Sequence, residues 1–567
     1  MSRKHNITPI EIPELLHLIG CHLLSSDLKS CMLVSRTWHT IFEAYLWHDL
    51  HYNSQCTQHL EQHGHLVRRL KTYNLSTKDL YLVAGSCHFV QQLTLDVGGC
   101  FLKLSPGLET IVANMPHITD LTLGLPGSTY QMYFCAISRL KQLRYLTLTT
   151  INRLCHSTTC DLLLLLNVIQ ECTRLCSLTV ENIIVVDQST PGTSPLLPTQ
   201  SGTDVMIYPP GFKQWWNSAW FRQLKDKVRH PEDPWRKFEQ VTHVENQVRP
   251  GDESFLCTPD ASRIYPLLTR LVIKNLLFGT TKHQSLPFGL LFKKTPHLRE
   301  LYIEFKRFWP TLIAECLNAI TANCKELAIL TFDGLRATVN SQTSINEFFR
   351  TIRPGLQRLT LKKGVDLEGV LDLIPERTAN GLHHLRLEDT VWSHAVLHRF
   401  LQRCSSLQSL AWSNCTEMTI DSTMRFSACL VEPWTCYDTL RHVEFRVTKM
   451  DKDSFDAYFG RLAQAEQLVS LSVSLCDLRR SIIKRGEDAR GWYFPLVQEL
   501  TMAAGYTLPL CSLDELRYTL QAFPKLRKIR YEGTQYPLDD EARHSLMSQG
   551  ERSVMVIHTT QTPSFVY

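Results

Sequence analysis

One six-residue phrase constrains this chain more than anything else in it: an apolar residue, two others, an apolar residue, one other, an apolar residue. It is plainest at Leu356-Gln-Arg-Leu359-Thr-Leu361, Leu382-His-His-Leu385-Arg-Leu387 and Leu407-Gln-Ser-Leu410-Ala-Trp412. Its first residue falls at Val67, Val90, Ile118, Leu143, Leu175, Leu268, Leu298, Leu327, Leu356, Leu382, Leu407, Leu440, Leu468, Val497 and Leu526. Successive spacings run from 23 to 33 residues, with one of 93 between Leu175 and Leu268. The fourth and sixth residues of the phrase are two apart, so on a strand they share a face. Between phrases the apolar period lengthens to three or four, as in Leu312-Ile-Ala-Glu-Cys-Leu-Asn-Ala-Ile320, Val396-Leu-His-Arg-Phe-Leu401 and Leu513-Asp-Glu-Leu-Arg-Tyr-Thr-Leu520, which reads as helix. A single strand–helix unit cannot bury its apolar face, but stacked neighbours can. The expected fold is an α/β solenoid with parallel strands on the concave face and helices on the convex face.

Period and phrase together resemble the leucine-rich repeat. Cys172, Cys324 and Cys404 each stand three residues before a phrase, and Cys415 stands three after Trp412, which resembles the cysteine-containing subclass. The expected fold class is therefore a leucine-rich-repeat horseshoe. Its blocks run over residues 67–183 and 264–536, with an insertion at 184–263 and a tail at 537–567 that loses the phrase and covers the last repeat.

Residues 1–50 lie outside the repeat and read as a compact helical module. Pro13 suits the first turn of a helix, and Leu15, Leu16, Ile19 and Leu23 give it one apolar face. Ser25, Ser26 and Asp27 break that face and offer a cap for a second helix. Leu28, Cys31 and Val34 continue it, and Trp38, Ile41 and Phe42 form a third segment closed by Leu46-Trp47. The run Ile12-Pro13-Glu14-Leu15, Ile19, Leu23, Asp27-Leu28, Cys31, Val34-Ser35-Arg36-Thr37-Trp38 resembles an F-box. It departs from that pattern in having Pro13 directly before Glu14. The resemblance implies docking on the Skp adaptor of a cullin-RING ubiquitin ligase. It makes Ile12, Pro13, Leu15, Leu16, Ile19, Leu28, Val34, Ser35, Arg36 and Trp38 a mixture of docking and core residues. The other reading is a plain helical cap on the solenoid.

Residues 51–66 are polar and His-rich (His51, His59, His63, His65). They read as a solvated linker rather than a metal site. The insertion begins with a Pro/Gly/Ser/Thr-rich stretch, a loop signal. It continues with Trp215, Trp216, Trp220, Phe221, Trp235 and Phe238 among Lys and Arg. That cluster admits three readings: a pin against the scaffold, a recognition patch, or a stacking surface for single-stranded nucleic acid.

The third, fifth and seventh residues of each phrase should face the concave side. Early phrases put Asp120-Thr122-Gly124 and Tyr145-Thr147-Thr149 there. Later ones put charge of both signs there: Arg270 and Lys274; Glu300, Tyr302 and Glu304; Arg358 and Lys362; His384, Arg386 and Glu388; His442, Glu444 and Arg446. Mixed charge suits a protein partner better than a polyanion, so these are the candidate target-binding residues.

Net charge is +5 on 567 residues, nearly balanced. The 19 cysteines contain no C-x-x-C pair and read as buried hydrophobes in a reducing compartment. Glu11 and Glu14 interrupt any signal-peptide core, and the longest apolar run near the repeats, Leu162 to Leu166, is far short of a membrane span. A cytosolic or nuclear location is expected. The sequence holds no G-x-x-x-x-G-K-[ST], G-x-S-x-G or H-E-x-x-H, and His394 with His398 lacks a third ligand. No catalytic residue, metal or cofactor is expected.

The resulting expectation is a non-enzymatic substrate receptor of an SCF-type ubiquitin ligase, the module gripping the adaptor and the concave face holding a target protein. The alternatives are a repeat scaffold or regulator whose F-box is degenerate, an activator of small GTPases, and a nucleic-acid binder acting through the Trp-rich insertion.

Overall fold

The computed structural model describes residues 12–186, 264–417, 433–474, 493–503, 521–532 and 555–559, with short interruptions inside those ranges. The chain divides into two units. One comprises residues 1–186 and 263–567 and the other residues 187–262; the second lies wholly outside the described residues, and Trp215, Trp216, Trp220 and Trp235 with it.

Each of the fifteen phrases becomes a parallel strand beginning two residues after its first apolar residue. Arg358–Lys362 follows Leu356, His384–Glu388 follows Leu382, and Ser409–Ser413 follows Leu407. Two further strands complete a 17-stranded sheet in which every strand pairs with the next in chain order. A single hydrogen-bond device repeats at each step from Arg69–Tyr73 to Lys528–Glu532: two successive amides of one strand's entry donate to one carbonyl of the strand before. Gln357 and Arg358 donate to Ala328 (2.8 and 3.0 Å), and His383 and His384 to Gln357 (2.8 and 3.0 Å).

The ladder crosses the 93-residue gap without a break. Ser177–Glu181 pairs directly with Arg270–Lys274, in the register Leu178↔Leu271 and Val180↔Ile273, and Thr269 and Arg270 donate to the Cys176 carbonyl. Before the gap, Ile183–Val186 joins Thr158–Asp161 and Leu277–Phe278 in a separate three-stranded sheet, so residues 184–186, expected within the insertion, are strand.

Between strands run helices such as Thr77–Ser86, Pro310–Asn323 and Lys452–Ala463. The first, fourth and sixth phrase residues meet the inward faces of these helices in one continuous apolar core, reaching from Leu50 to Ile529. Cys172, Cys324 and Cys404, each between a helix and the following strand, are buried in it. The Cys404 thiol donates to the Phe400 carbonyl (3.2 Å) and that of Cys172 to Ile137 (3.5 Å). Cys415 lies outside the described residues. This unit is a leucine-rich-repeat horseshoe, an α/β solenoid. Among the described residues, no helix is long and apolar enough to cross a membrane.

The sheet starts earlier and ends later than the phrase does. Asp49–Tyr52 is the first strand, pairing with Arg69–Tyr73, and the helix Thr57–His63 follows it. The stretch expected to be a linker over 51–66 is thus the first repeat. Its phrase, Trp47-x-x-Leu50-x-Tyr52, carries aromatic residues at both ends and follows straight from a helix. Trp47 stacks flat on His63, with ring centroids 4.8 Å apart. At the far end Met555–Thr559 adds a strand from the tail. The register sets His558 where an apolar sixth residue would stand, which hides the phrase. The helical stretch expected at 539–547 lies outside the described residues.

Candidate functional site

Two surfaces present chemistry. The first is the N-terminal module, α1 (Pro13–Gly20), α2 (Ser25–Cys31) and α3 (Arg36–His48). Pro13 opens α1 as expected. Ser25 to Asp27 do not cap α2: Leu24 is its N-cap, with no side-chain cap bond, and Ser26 spends its hydroxyl on Asp27 (3.3 Å). Ser35 is the cap of α3, accepting from the Trp38 amide at 3.2 Å. Its place in the motif has a local structural cause.

The module has its own small core of Leu16, Leu28, Ile41 and Phe42, separate from that of the solenoid. Trp38 packs edge-on against Phe42 at 5.3 Å. Leu16 and Leu28 are therefore core. Pro13, Leu15, Ile19, Val34, Ser35 and Arg36 are exposed, and Ile12 and Trp38 half-buried. Three more exposed leucines escaped the sequence analysis: Leu18, Leu24 and Leu33, at 63%, 71% and 87% exposure. In short helices an apolar residue reads alike whether it faces inward or outward. Six large apolar side chains are thus open to solvent on the module: Leu15, Leu18 and Ile19 on α1, Leu24 at the N-cap of α2, and Leu33 and Val34 in the turn before α3.

The second surface is the strand face. The register aligns the fifth phrase residues in one row. Lys71, Thr94, Thr122, Thr147 and Thr179 form its first part, followed by Val272, Tyr302, Thr331, Thr360 and Arg386. The early part is a ladder of threonines. The later part carries charges that engage one another. Arg270 meets Glu300 at 3.0 Å. The Lys274 ammonium lies over the Tyr302 ring at 5.6 Å, and the Tyr302 hydroxyl donates to Asp333 on the next strand at 3.0 Å. Burial, then the Asp333 charge, drives the Tyr302 phenol well above its usual range.

Further along, one network spans five strands. Lys362 meets Glu388 at 3.0 Å, Arg386 meets Glu388 at 2.9 Å and Glu444 at 3.5 Å, and Arg446 meets Glu444 at 3.5 Å. Arg446 also donates to the Ser472 hydroxyl at 2.8 Å. Arg386 reaches Glu444 two strands away because Ala411, between them in the row, has too short a side chain to intervene. Burial works against the Glu388 carboxylate, yet hydrogen bonds from Lys362 and Arg386 hold its pKa below the ordinary value. His384 is held below its ordinary pKa by burial first, then by Arg358, His383 and His442.

Of the thirteen concave residues the sequence nominates, nine are joined in these contacts. Glu304 and His384 are half-buried, and Arg358 and His442 are exposed. Asp333 and Ser472 were missed. The signal for both was the register, since each stands on the strand next to a nominated partner.

His398 is fully buried and its Nδ1 accepts from the Trp434 indole N–H at 2.8 Å. That nitrogen is committed to the core. Among the described residues no group of three or more His, Cys, Asp or Glu side chains is placed to hold a metal ion.

The chain matches no family model and no curated protein. Among solved structures it is similar to a chain in the crystal structure of the Rad7 and Elc1 complex in yeast. That likeness has 12% identity, covers 97% of this chain and 93% of that one, and has a TM-score of 0.33. It is also similar to a chain in the TLR13–ssRNA13 crystal structure, at 11% identity over 75% of this chain and 54% of that one, with a TM-score of 0.28. Likenesses at this level add nothing to the ladder itself. Its unbroken parallel register and its single apolar seam establish the chain as a leucine-rich-repeat solenoid.

Proposed function

We propose that this chain is a non-enzymatic substrate-recognition subunit of an SCF-type ubiquitin ligase, working in the cytosol or nucleus. The helical module docks the Skp adaptor, and through it a cullin-RING ligase. The strand face holds a target protein. Proximity does the rest, since holding a target beside a charged conjugating enzyme raises its effective concentration without chemistry in this chain.

The observation that carries this reading is the set of exposed apolar side chains on the module. Scattered single exposed leucines are ordinary. Six large apolar side chains exposed within residues 15–34, on a module whose core is already filled by Leu16, Leu28, Ile41 and Phe42, suit an interaction surface. A second reading, a repeat scaffold capped by a degenerate F-box, draws on Pro13 directly preceding Glu14 and on α3 running straight into the first strand.

The test is capture of purified Skp adaptor by the full chain and by a Leu33→Asp, Val34→Asp variant. Both residues are exposed, so the variant should melt like the parent. The receptor reading expects capture by the parent and loss by the variant. No capture by the parent overturns it in favour of the scaffold.

A further inference from the structure

The second phrase residue holds one backbone position all along the ladder, because its carbonyl takes the paired amides of the next strand. Side chains at this position therefore emerge in one row along the edge where the strands begin. Among the described residues that row holds five arginines, Arg68, Arg144, Arg299, Arg441 and Arg527, and no Asp or Glu. Successive arginines are three, three, five and three strands apart in the ladder. At ~4.8 Å per strand the shorter steps are roughly 14 Å. Arg144, Arg441 and Arg527 are exposed and form no ion pair among the described residues. On the opposite edge the seventh residues include Glu181, Glu304, Asp333 and Glu388 against Lys274, Lys362 and Arg446, and Glu388 already pairs with Lys362. Five strand residues separate the edges by ~16 Å, beyond the screening length of ~8 Å at physiological salt. That edge is too far away to neutralise the arginines; of the five, Arg299 pairs with Glu326 at 3.7 Å and Arg68 donates to the His65 carbonyl at 2.7 Å.

We infer that this arginine row is a docking edge for an extended acidic polypeptide segment lying across the strands, with a carboxylate at about every fourth residue. The spacing selects the partner. An extended chain advances ~3.3 Å per residue, so four residues cover one 14 Å step. A nucleic-acid strand carries charge far more densely than one per 14 Å, so most of its phosphates would find no arginine in this row. This inference names the chemistry of a target and stands without the adaptor-docking reading, because no residue of the module takes part.

The experiment uses the full chain and a fluorescent peptide of about twenty residues, Glu at every fourth position among Gly and Ser, read by anisotropy at several salt concentrations. A peptide with Gln for Glu is the control. The wild type should bind the Glu peptide with affinity that falls as salt rises, and should not bind the Gln peptide. The triple variant Arg144→Glu, Arg441→Glu, Arg527→Glu should lose at least tenfold. Arg377→Glu, exposed on the helix Glu376–Asn380, should bind as the parent does. The triple variant should still capture the Skp adaptor if the parent does, which separates this inference from the receptor reading. Failure of the Glu peptide to bind would overturn it, as would an equal loss in Arg377→Glu. So would displacement of the peptide by an oligothymidylate that binds the same arginines more tightly, which would make the edge a nucleic-acid surface.

Discussion

Glu388→Gln isolates the charge network of the strand face with almost no change of shape. The carboxylate contacts Lys362 at 3.0 Å and Arg386 at 2.9 Å, and the three side chains are 25%, 29% and 42% exposed. Fully exposed pairs contribute ~0–1 kcal/mol, and hydrogen bonds to charged groups in drier surroundings ~1.5–3 kcal/mol. Glu388 lies between these cases. Arg386 keeps Glu444, so most of the loss falls on the Lys362 side, and the expected cost is about 1–2 kcal/mol. A long repeat array need not unfold in one step, so the assay is native-state hydrogen exchange resolved by strand. Amides of Arg358–Lys362 and His384–Glu388 should exchange roughly 5–30 times faster in the variant, while Gln92–Asp96 should be unchanged. The Glu388 pKa is depressed in the fold. Its contribution is therefore present above the unfolded carboxyl value, about 4.3, and lost as pH falls through the folded value. The variant should lack that acid-side slope. A double-mutant cycle with Lys362→Met should show coupling. Additive effects, or unchanged exchange in both strands, would refute the network.

Three more predictions follow from single sites. His384 is held below its ordinary pKa, so it supports the fold above the unfolded histidine value of ~6.5 and that support fades as pH drops through the lowered one; His384→Gln should flatten the fall in melting temperature below pH 6.5. Burial pushes the thiols of Cys87, Cys172, Cys324 and Cys436 up to about 12. Iodoacetamide at pH 8 should spare them in the folded protein while modifying exposed Cys21, as read by peptide mass spectrometry. Gly64 has no room for a side chain, because a Cβ there would sit 2.6 Å from the Ser86 carbonyl oxygen. Gly64→Ala should cost ~1–3 kcal/mol, seen as faster exchange in Arg69–Tyr73.

The strands were legible because the phrase binds position to burial: an apolar residue at the fourth and sixth places leaves one orientation for each strand. That logic also gave the direction of the strand-face side chains. It failed at Trp47 and at Met555–Thr559, where aromatic or polar residues occupy the places that normally carry leucine. The partners on the strand face were less legible. Arg386 reaches Glu444 over Ala411, although the two are 58 positions apart in sequence. Only the register, not the spacing along the chain, makes them neighbours. The module was legible as three helices, but which of its leucines face outward depended on how those helices pack.

The continuity of the ladder across the insertion is the claim on which the rest stands, and replacing residues 187–262 with a short Gly/Ser linker tests it most directly. Leu178 and Leu271 are paired in register and buried. In the shortened chain their amides should keep the protection they have in the parent, and the far-ultraviolet spectrum should keep its mixed strand and helix character. Loss of protection at Leu178 and Leu271 with the two repeat blocks melting apart would contradict a single solenoid.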